Sequence, residues 1–275
     1  MDSSAIESIK NLAVDANIRR LPEALDDVAV ALPKDYGLHS LERFYPTRTR
    51  FRGRYETSSM ADFIAYTRDN DGASVFASAD DASALSATAF FNLGTTDDPG
   101  HADWIAHLAL VKTAAFEALT EATIVQFSQA ALVEFIEDWN GGLRAFGGGD
   151  APGDGITLSK AIAAIRKIKI ASKSEAESTR QNFGETTSRL DSVNVSSDVG
   201  LPGFLSFEFT PFLGFASRAI LLRLSVSTNP DRPPALKLRP ISWEQMLDSI
   251  QHEFKTRLIE EIGDKAKVHI GTFAP

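Results

Sequence analysis

The 275-residue chain reads as an α+β protein: antiparallel sheet with packed helices, a long C-terminal helix and a projecting polar hairpin. Three observations carry that reading. Apolar residues recur at helical spacing in well-separated windows. Between them lie short alternating or apolar runs, broken by acidic and glycine-rich turns. The succession is helix, strands, helices, strands, helix, without the regular alternation that a parallel βαβ sheet requires. Hydrophobic residues make up 43% of the chain and charged residues 24%, so it is able to bury a substantial core.

Each element follows from local signals. Ser4-Ala-Ile-Glu7 is a capping box for a helix over 4–16, with Ile6, Ile9, Ala13 and Ala16 on one face. Leu25–Leu32 leads through Pro33 and Gly37 into an arginine-rich strand, where Pro46 favours an extended entry and Gly53 weakens pairing or marks a bulge. Ser59-Met-Ala-Asp62 caps a helix near Ala61–Arg68 with Phe63, Ile64 and Thr67 on its face, and Asp69-Asn-Asp-Gly72 ends it. Ser74–Ser78, Leu85–Leu93 and Trp104–Phe116 read as strands of an antiparallel meander, separated by turns at Asp80-Asp81 and Thr96–Gly100. Thr123-Ile-Val-Gln126 caps a helix over 124–139, whose apolar set is Ile124, Phe127, Ala131, Phe135 and Trp139.

Residues 140–155 hold seven of the eighteen glycines, the composition of a flexible linker. The expected organisation is therefore an N-terminal part over 1–139, a linker or loop over 140–157 and a C-terminal part over 158–275, unless all three pack as one domain. A basic amphipathic helix follows from Leu158 to about Ile168. Residues 171–198 are polar in both strand phases, with Asn182-Phe-Gly184 as a hairpin turn. A disordered loop, a solvent-projecting hairpin and an arm gripped by another subunit all fit them. Strands at Phe204–Phe209, Ala219–Ser227 and Ala235–Ile241 precede a helix over Trp243–Ile262. Ser242-Trp-Glu-Gln245 caps that helix, Trp243, Leu247, Ile250, Phe254 and Leu258 form its stripe, and Gly263 stops it.

With 28 basic and 37 acidic residues the net charge is -9, which argues against a protein that simply coats nucleic acid. There is no cysteine, which excludes disulfides, thiolate catalysis and cysteine-held metals. The first residues lack the basic-then-apolar pattern of a signal peptide, and no apolar run approaches the roughly 18–20 residues of a membrane span. A soluble intracellular protein without a membrane partner is expected.

The densest chemistry is Arg43–Tyr55, with five arginines and no acid; it carries +5, so the remainder carries -14. Arg48, Arg50, Arg52 and Arg54 recur at every second residue, so a strand would project all four from one face. Such a stripe suits an acidic surface on a second copy of the chain. Interleaved with Phe44, Tyr45, Phe51 and Tyr55, it also has the composition of a single-stranded nucleic-acid platform. The contact residues expected for an oligomer or an anion are Arg43, Arg48, Arg50, Arg52, Arg54, Phe51 and Tyr55.

Other motifs carry less. Asp97-Asp-Pro-Gly-His-Ala-Asp103 places carboxylates and an imidazole within seven residues, but Pro99-Gly100 makes it a turn before a metal site. His107 reads as a satisfied core or edge histidine; His39, His252 and His269 show no recognisable partners. The glycines at 147–155 lack the Gly-Lys-Ser/Thr of a phosphate loop, and no nucleophile elbow or metalloprotease helix occurs. No catalytic residue, metal or cofactor is expected.

The chain resembles the YfdQ-like family of uncharacterised phage and prophage proteins. The resemblance rests on Ala31–Glu42, Arg52-Gly-Arg-Tyr-Glu-Thr57 with Ala61-Asp-Phe-Ile-Ala-Tyr66, Trp104–Leu110, Gln129–Asp138 and Arg239-Pro-Ile241, in that order. It departs from the family at the Ser/Thr-rich 171–198, where relatives carry a longer, more charged hairpin, and in the glycine-rich 147–155. The resemblance implies a phage-derived accessory protein of the bacterial cytoplasm, often encoded near recombination genes, and brings no catalytic residues. The resulting expectation is a non-enzymatic protein that self-assembles into a homo-oligomer. The alternative is a single-stranded nucleic-acid-binding accessory of phage recombination using the Arg48–Arg54 stripe, and a further one is an inhibitor of a host defence system.

Overall fold

The structure is a computed structural model that describes residues 4, 6–8, 10–11, 45–48, 50–149, 151–168, 201–229 and 232–275. The expected hairpin at 171–198 and the stretch from 12 to 44 lie outside the described residues. The chain forms two units, Met1–Phe51 and Arg52–Pro275. In the first, residues 4, 6–8, 10 and 11 are helical, within the span expected for the opening helix, and Tyr45, Pro46 and Thr47 lie in bends.

The second unit begins with β1 (Gly53–Thr57), α1 (Met60–Asp69), β2 (Ala73–Ser78), β3 (Ser86–Phe90) and β4 (Trp104–Ala109). Ser59 caps α1 by accepting a hydrogen bond from the Asp62 N–H, and Met60, Phe63, Ile64 and Thr67 form its buried face. β2, β3 and β4 pair antiparallel, as the acidic turns between them predict. The first sheet has the order β1-β4-β3-β2-β10, in which β10 (Ala266–Ile270) returns from the far end of the chain. Both β1 and β10 pair parallel with their neighbours, so this sheet is mixed.

Between β4 and β10 the chain builds a second sheet and its helices. These are α2 (Ala114–Ile124), α3 (Gln129–Asp138), β5 (Leu143–Gly147), β6 (Gly155–Ile156), α4 (Leu158–Arg166), β7 (Pro202–Phe209), β8 (Arg218–Asn229), β9 (Arg232–Pro240) and α5 (Trp243–Ile262). The second sheet is antiparallel throughout, in the order β6-β5-β7-β8-β9. Leu143, Ala145, Leu205, Phe207, Ile220, Leu222, Leu224, Leu236 and Leu238 are buried beneath α2, α3 and α4. Burying one such aromatic or leucine side chain contributes about 1.5–3 kcal/mol. Ile250, Phe254, Leu258 and Ile262 of α5 join the same core.

Several expectations change here. The helix expected over 124–139 is α3, which starts only at Gln129 because Ser128 caps it through the Ala131 N–H; a separate helix, α2, capped by Thr113 through the Phe116 N–H, ends at Ile124. Thr123 instead donates its hydroxyl to the Thr120 carbonyl, and Phe127 pairs with Leu236 of β9. The expected strand through Phe116 therefore ends at Ala109. Ser242, expected as the cap of α5, sits in the left-handed region (φ 57°) and makes no side-chain cap bond.

The glycine-rich stretch, expected as a linker or loop, carries β5 and β6, and the chain divides into its two units between Phe51 and Arg52. Two of its glycines, Gly142 and Gly148, lie at close backbone approaches. A Cβ on Gly203 would lie 2.4 Å from the Cα of Gly148, and one on Gly142 would lie 2.8 Å from the Glu208 carbonyl oxygen. Gly203→Ala should accordingly cost about 1–3 kcal/mol by forcing the backbones apart, read as a shift in the urea midpoint; an unchanged midpoint would show the two backbones free to separate.

The β2–β3 turn is held by Asp81, whose Oδ1 accepts from the Ser83 N–H at 2.8 Å. That bond and the Ser83 hydroxyl lower the Asp81 carboxyl below its ordinary 3.8, outweighing an opposing effect of burial, with Lys112 adding least to the pull. A carboxylate with a depressed folded pKa stabilises above its unfolded pKa, and the gain is lost as pH falls through the folded value. Asp81→Asn should lower the melting temperature at neutral pH and meet the wild type in strong acid. Melting curves across that range test this, and a constant gap would contradict it.

Candidate functional site

The residues expected as one arginine stripe do not share a strand. Arg48 and Arg50 precede β1, in the first unit, and are exposed. Pairing starts only at Gly53, whose amide donates to the Asp103 carbonyl at 2.9 Å. Gly53 has φ 155°, which marks where the extended ladder begins. Arg52 comes just before β1, half-buried, and Arg54 is within it. Phe51 is 64% exposed at the end of the first unit. Arg43 lies outside the described residues. Tyr55 points away from Arg54 and packs on Tyr66 of α1 with ring centroids 4.8 Å apart, so it belongs to the core side of the sheet.

Strand alternation then defines what surrounds Arg54. Val75, Ala77, Ala87, Ala89, Ala106 and Leu108 turn toward α1 and α5 and are buried. Among the described residues, α1 and α5 pack on that one face. The ladder register orders the opposite, outer face in rows across all five strands. One row runs Lys267, Ser74, Phe90, Ile105, Arg54; the next runs His269, Phe76, Thr88, His107, Glu56. Basic side chains thus end the first row at both sheet edges, ~19 Å apart at about 4.8 Å per strand spacing.

The aromatic groups of this face are in mutual contact. Phe76 stacks with His269 at 5.1 Å and with Phe273 at 4.7 Å, with interplanar angles of 21° and 16°. Phe90 meets Phe76 and Phe273 edge-on, at 6.0 and 5.9 Å. His107 Nδ1 lies 3.0 Å from Thr88 Oγ1, the neighbour in its row. Arg54 Nε donates to Glu56 Oε1. Glu56 is the sole carboxylate in the two rows, and its charge is matched by that arginine. Arg54, Glu56, Thr57, Ser58, His107 and Ala109 line an open cleft of about 460 Å³ at the β1 side.

The sequence pointed to Arg54 but missed Phe76, Phe90, Lys267, His269 and Phe273. A partial signal existed: Ser74, Phe76 and Ser78 alternate with Ala73, Val75 and Ala77. Both phases contain apolar residues, so period two alone did not reveal which face was open. Asp97–Asp103 forms a turn, with the Asp98 N–H bonded to Thr95 Oγ1 and the Gly100 N–H to the Leu93 carbonyl. Among the described residues, no group of three or more His, Asp or Glu side chains could hold a metal ion, and no helix is long and apolar enough to cross a membrane.

Tyr55→Ala and Arg54→Ala should separate the two sides of β1. The tyrosine change should cost about 2 kcal/mol or more through lost packing, and the exposed arginine less than about 1 kcal/mol. Urea denaturation of both variants checks this; equal losses would mean that β1 does not divide packing from surface in this way.

One family model, that of the uncharacterized conserved protein DUF2303, matches residues 2–273. No curated protein and no solved structure matches the chain.

Proposed function

We propose that this chain, which belongs to the DUF2303 family, is a non-enzymatic accessory protein of phage or prophage origin that works as a homo-oligomer in the bacterial cytoplasm. The phage origin and the compartment rest on the resemblance to YfdQ-like proteins. Self-assembly is supported chiefly by one surface feature. Leu213 is 86% exposed and Val111 is 68% exposed, on segments joined by the Lys112–Phe212 bridge.

This apolar pair is mounted on a firm base. Arg257 Nη1 donates to the Gly214 carbonyl at 2.9 Å, and the Ala216 N–H donates to Glu253 Oε1 at 3.0 Å. Arg218 Nη2 closes the anchor on Glu253 Oε2 at 2.6 Å, with both side chains largely buried. A rigid, apolar, solvent-facing turn costs little entropy to bury against a second copy. The segregation of +5 in one short window from -14 elsewhere adds electrostatic complementarity between copies.

Size-exclusion chromatography with light scattering tests the reading. A species above the 29.9 kDa monomer mass is expected, and Leu213→Glu should shift it toward monomer. A wild-type monomer at micromolar concentration would refute self-assembly.

A second reading, nucleic-acid binding within phage recombination, is favoured by the outer face of the first sheet. Arg54 and Lys267 bracket it, and its carboxylate is already paired. Labelled single-stranded DNA should bind at about 50 mM salt and weaken at about 200 mM, because phosphate contacts release counterions.

A further inference from the structure

We infer that the outer face of the first sheet is a base-stacking platform for single-stranded nucleic acid, and that Phe273 occupies one base position when no nucleic acid is bound. The inference rests on the second reading above and gives it a site different from the expected arginine stripe. Three observations converge on it.

First, the face already accepts a planar ring. Phe273 follows β10 and is 44% exposed, yet its ring lies nearly parallel to Phe76 at 4.7 Å. A nucleobase stacking on Phe76 would take the same position. Phe273 belongs to the segment 271–275, where Thr272, Phe273, Ala274 and Pro275 are all exposed. The Gly271 N–H bonds to the Ala77 carbonyl at 2.8 Å, and Gly271 has φ 136°, a conformation that favours glycine. The segment is thus anchored at Gly271 and can swing beyond it while the ladder stays paired.

Second, the aromatic groups sit on neighbouring strands. Phe76 is on β2 and the exposed His269 on β10, in one row, while Phe90 of β3 is buried (5% exposed) and backs Phe76 edge-on. Open sheet faces with aromatics so placed stack two or three successive bases, which splay across the strands. His269 is stacked against Phe76 in the same way and is itself exposed, so the face holds a second accessible ring.

Third, the charge is arranged for a phosphate chain. Lys267 and Arg54 stand at opposite edges of one row, where a backbone crossing the sheet would run; with Glu56 paired to Arg54 the two rows carry a net +1, and phosphate would exchange with Glu56 for Arg54. The residues between them, Ser74, Phe90 and Ile105, are uncharged. In a chain of net charge -9, two rows across five strands whose one carboxylate is paired with arginine are a local exception. Steering by such a patch is effective at low salt and fades as salt screens it.

The test is a fluorescence-anisotropy titration of the full chain with labelled oligodeoxythymidine and oligouridine. Wild type should bind one or both at about 50 mM salt. Phe76→Leu keeps an apolar side chain but removes the ring, and should weaken binding about fivefold or more. Lys267→Gln, an exposed change that leaves the core untouched, should weaken binding and reduce the salt slope by about one. Phe273→Ala should tighten binding, since it removes the internal competitor.

Binding that is unchanged in both Phe76→Leu and Lys267→Gln would overturn the platform while leaving nucleic-acid binding in place. Absence of wild-type binding at low salt would overturn both together. Weaker binding by Phe273→Ala would overturn the competitor role.

Discussion

The parallel pairing of β10 with β2 is the constraint on which the rest of the second unit depends. Parallel neighbours cannot be joined by a tight turn. Here the chain completes an entire second sheet before α5 carries it back and lays β10 along β2. The helix serves both ends of that excursion. Its apolar stripe of Ile250, Phe254, Leu258 and Ile262 enters the core, while Glu253 and Arg257 grip the 214–218 turn of the second sheet. Removing α5 would therefore expose core, free an edge of the first sheet and release the turn that presents Leu213.

The same constraint creates the candidate site. With both helices on one side, the first sheet buries small residues inward, and Ala77, Ala87, Ala89 and Ala106 let α1 and α5 approach closely. The larger outward residues are left to stack on one another. β10 supplies Lys267 and His269 to that outer face, and the segment after it supplies Phe273. A strand more than 170 residues from β2 in sequence thus completes an aromatic and basic surface begun by β2, β3, β4 and β1.

Glycine has a different meaning in the folded chain than its frequency suggests. Seven glycines within sixteen residues read as a flexible tether, since composition alone records only the low cost of bending. In the fold two of them stand at close backbone approaches: a Cβ on Gly142 would clash with the Glu208 carbonyl, and the Cα of Gly148 lies where a Cβ on Gly203 would fall. The partner in each pair lies more than fifty residues away, so no local window contains the reason for the glycine.

The sequence by itself determined the elements whose signals are local. Ser59 with Asp62 fixed α1, the acidic turns set the β2–β3–β4 meander, and the apolar stripe from Ile250 to Leu258 located α5. It also placed the arginines around β1. Tertiary structure decided which of those arginines reach a strand, because pairing with β4 begins only at Gly53 and leaves Arg48 and Arg50 outside the ladder. It likewise decided which face of the first sheet stays open. Alternation names two faces, but only the packing of α1 and α5 on one of them makes Arg54, Phe76 and Lys267 members of the other.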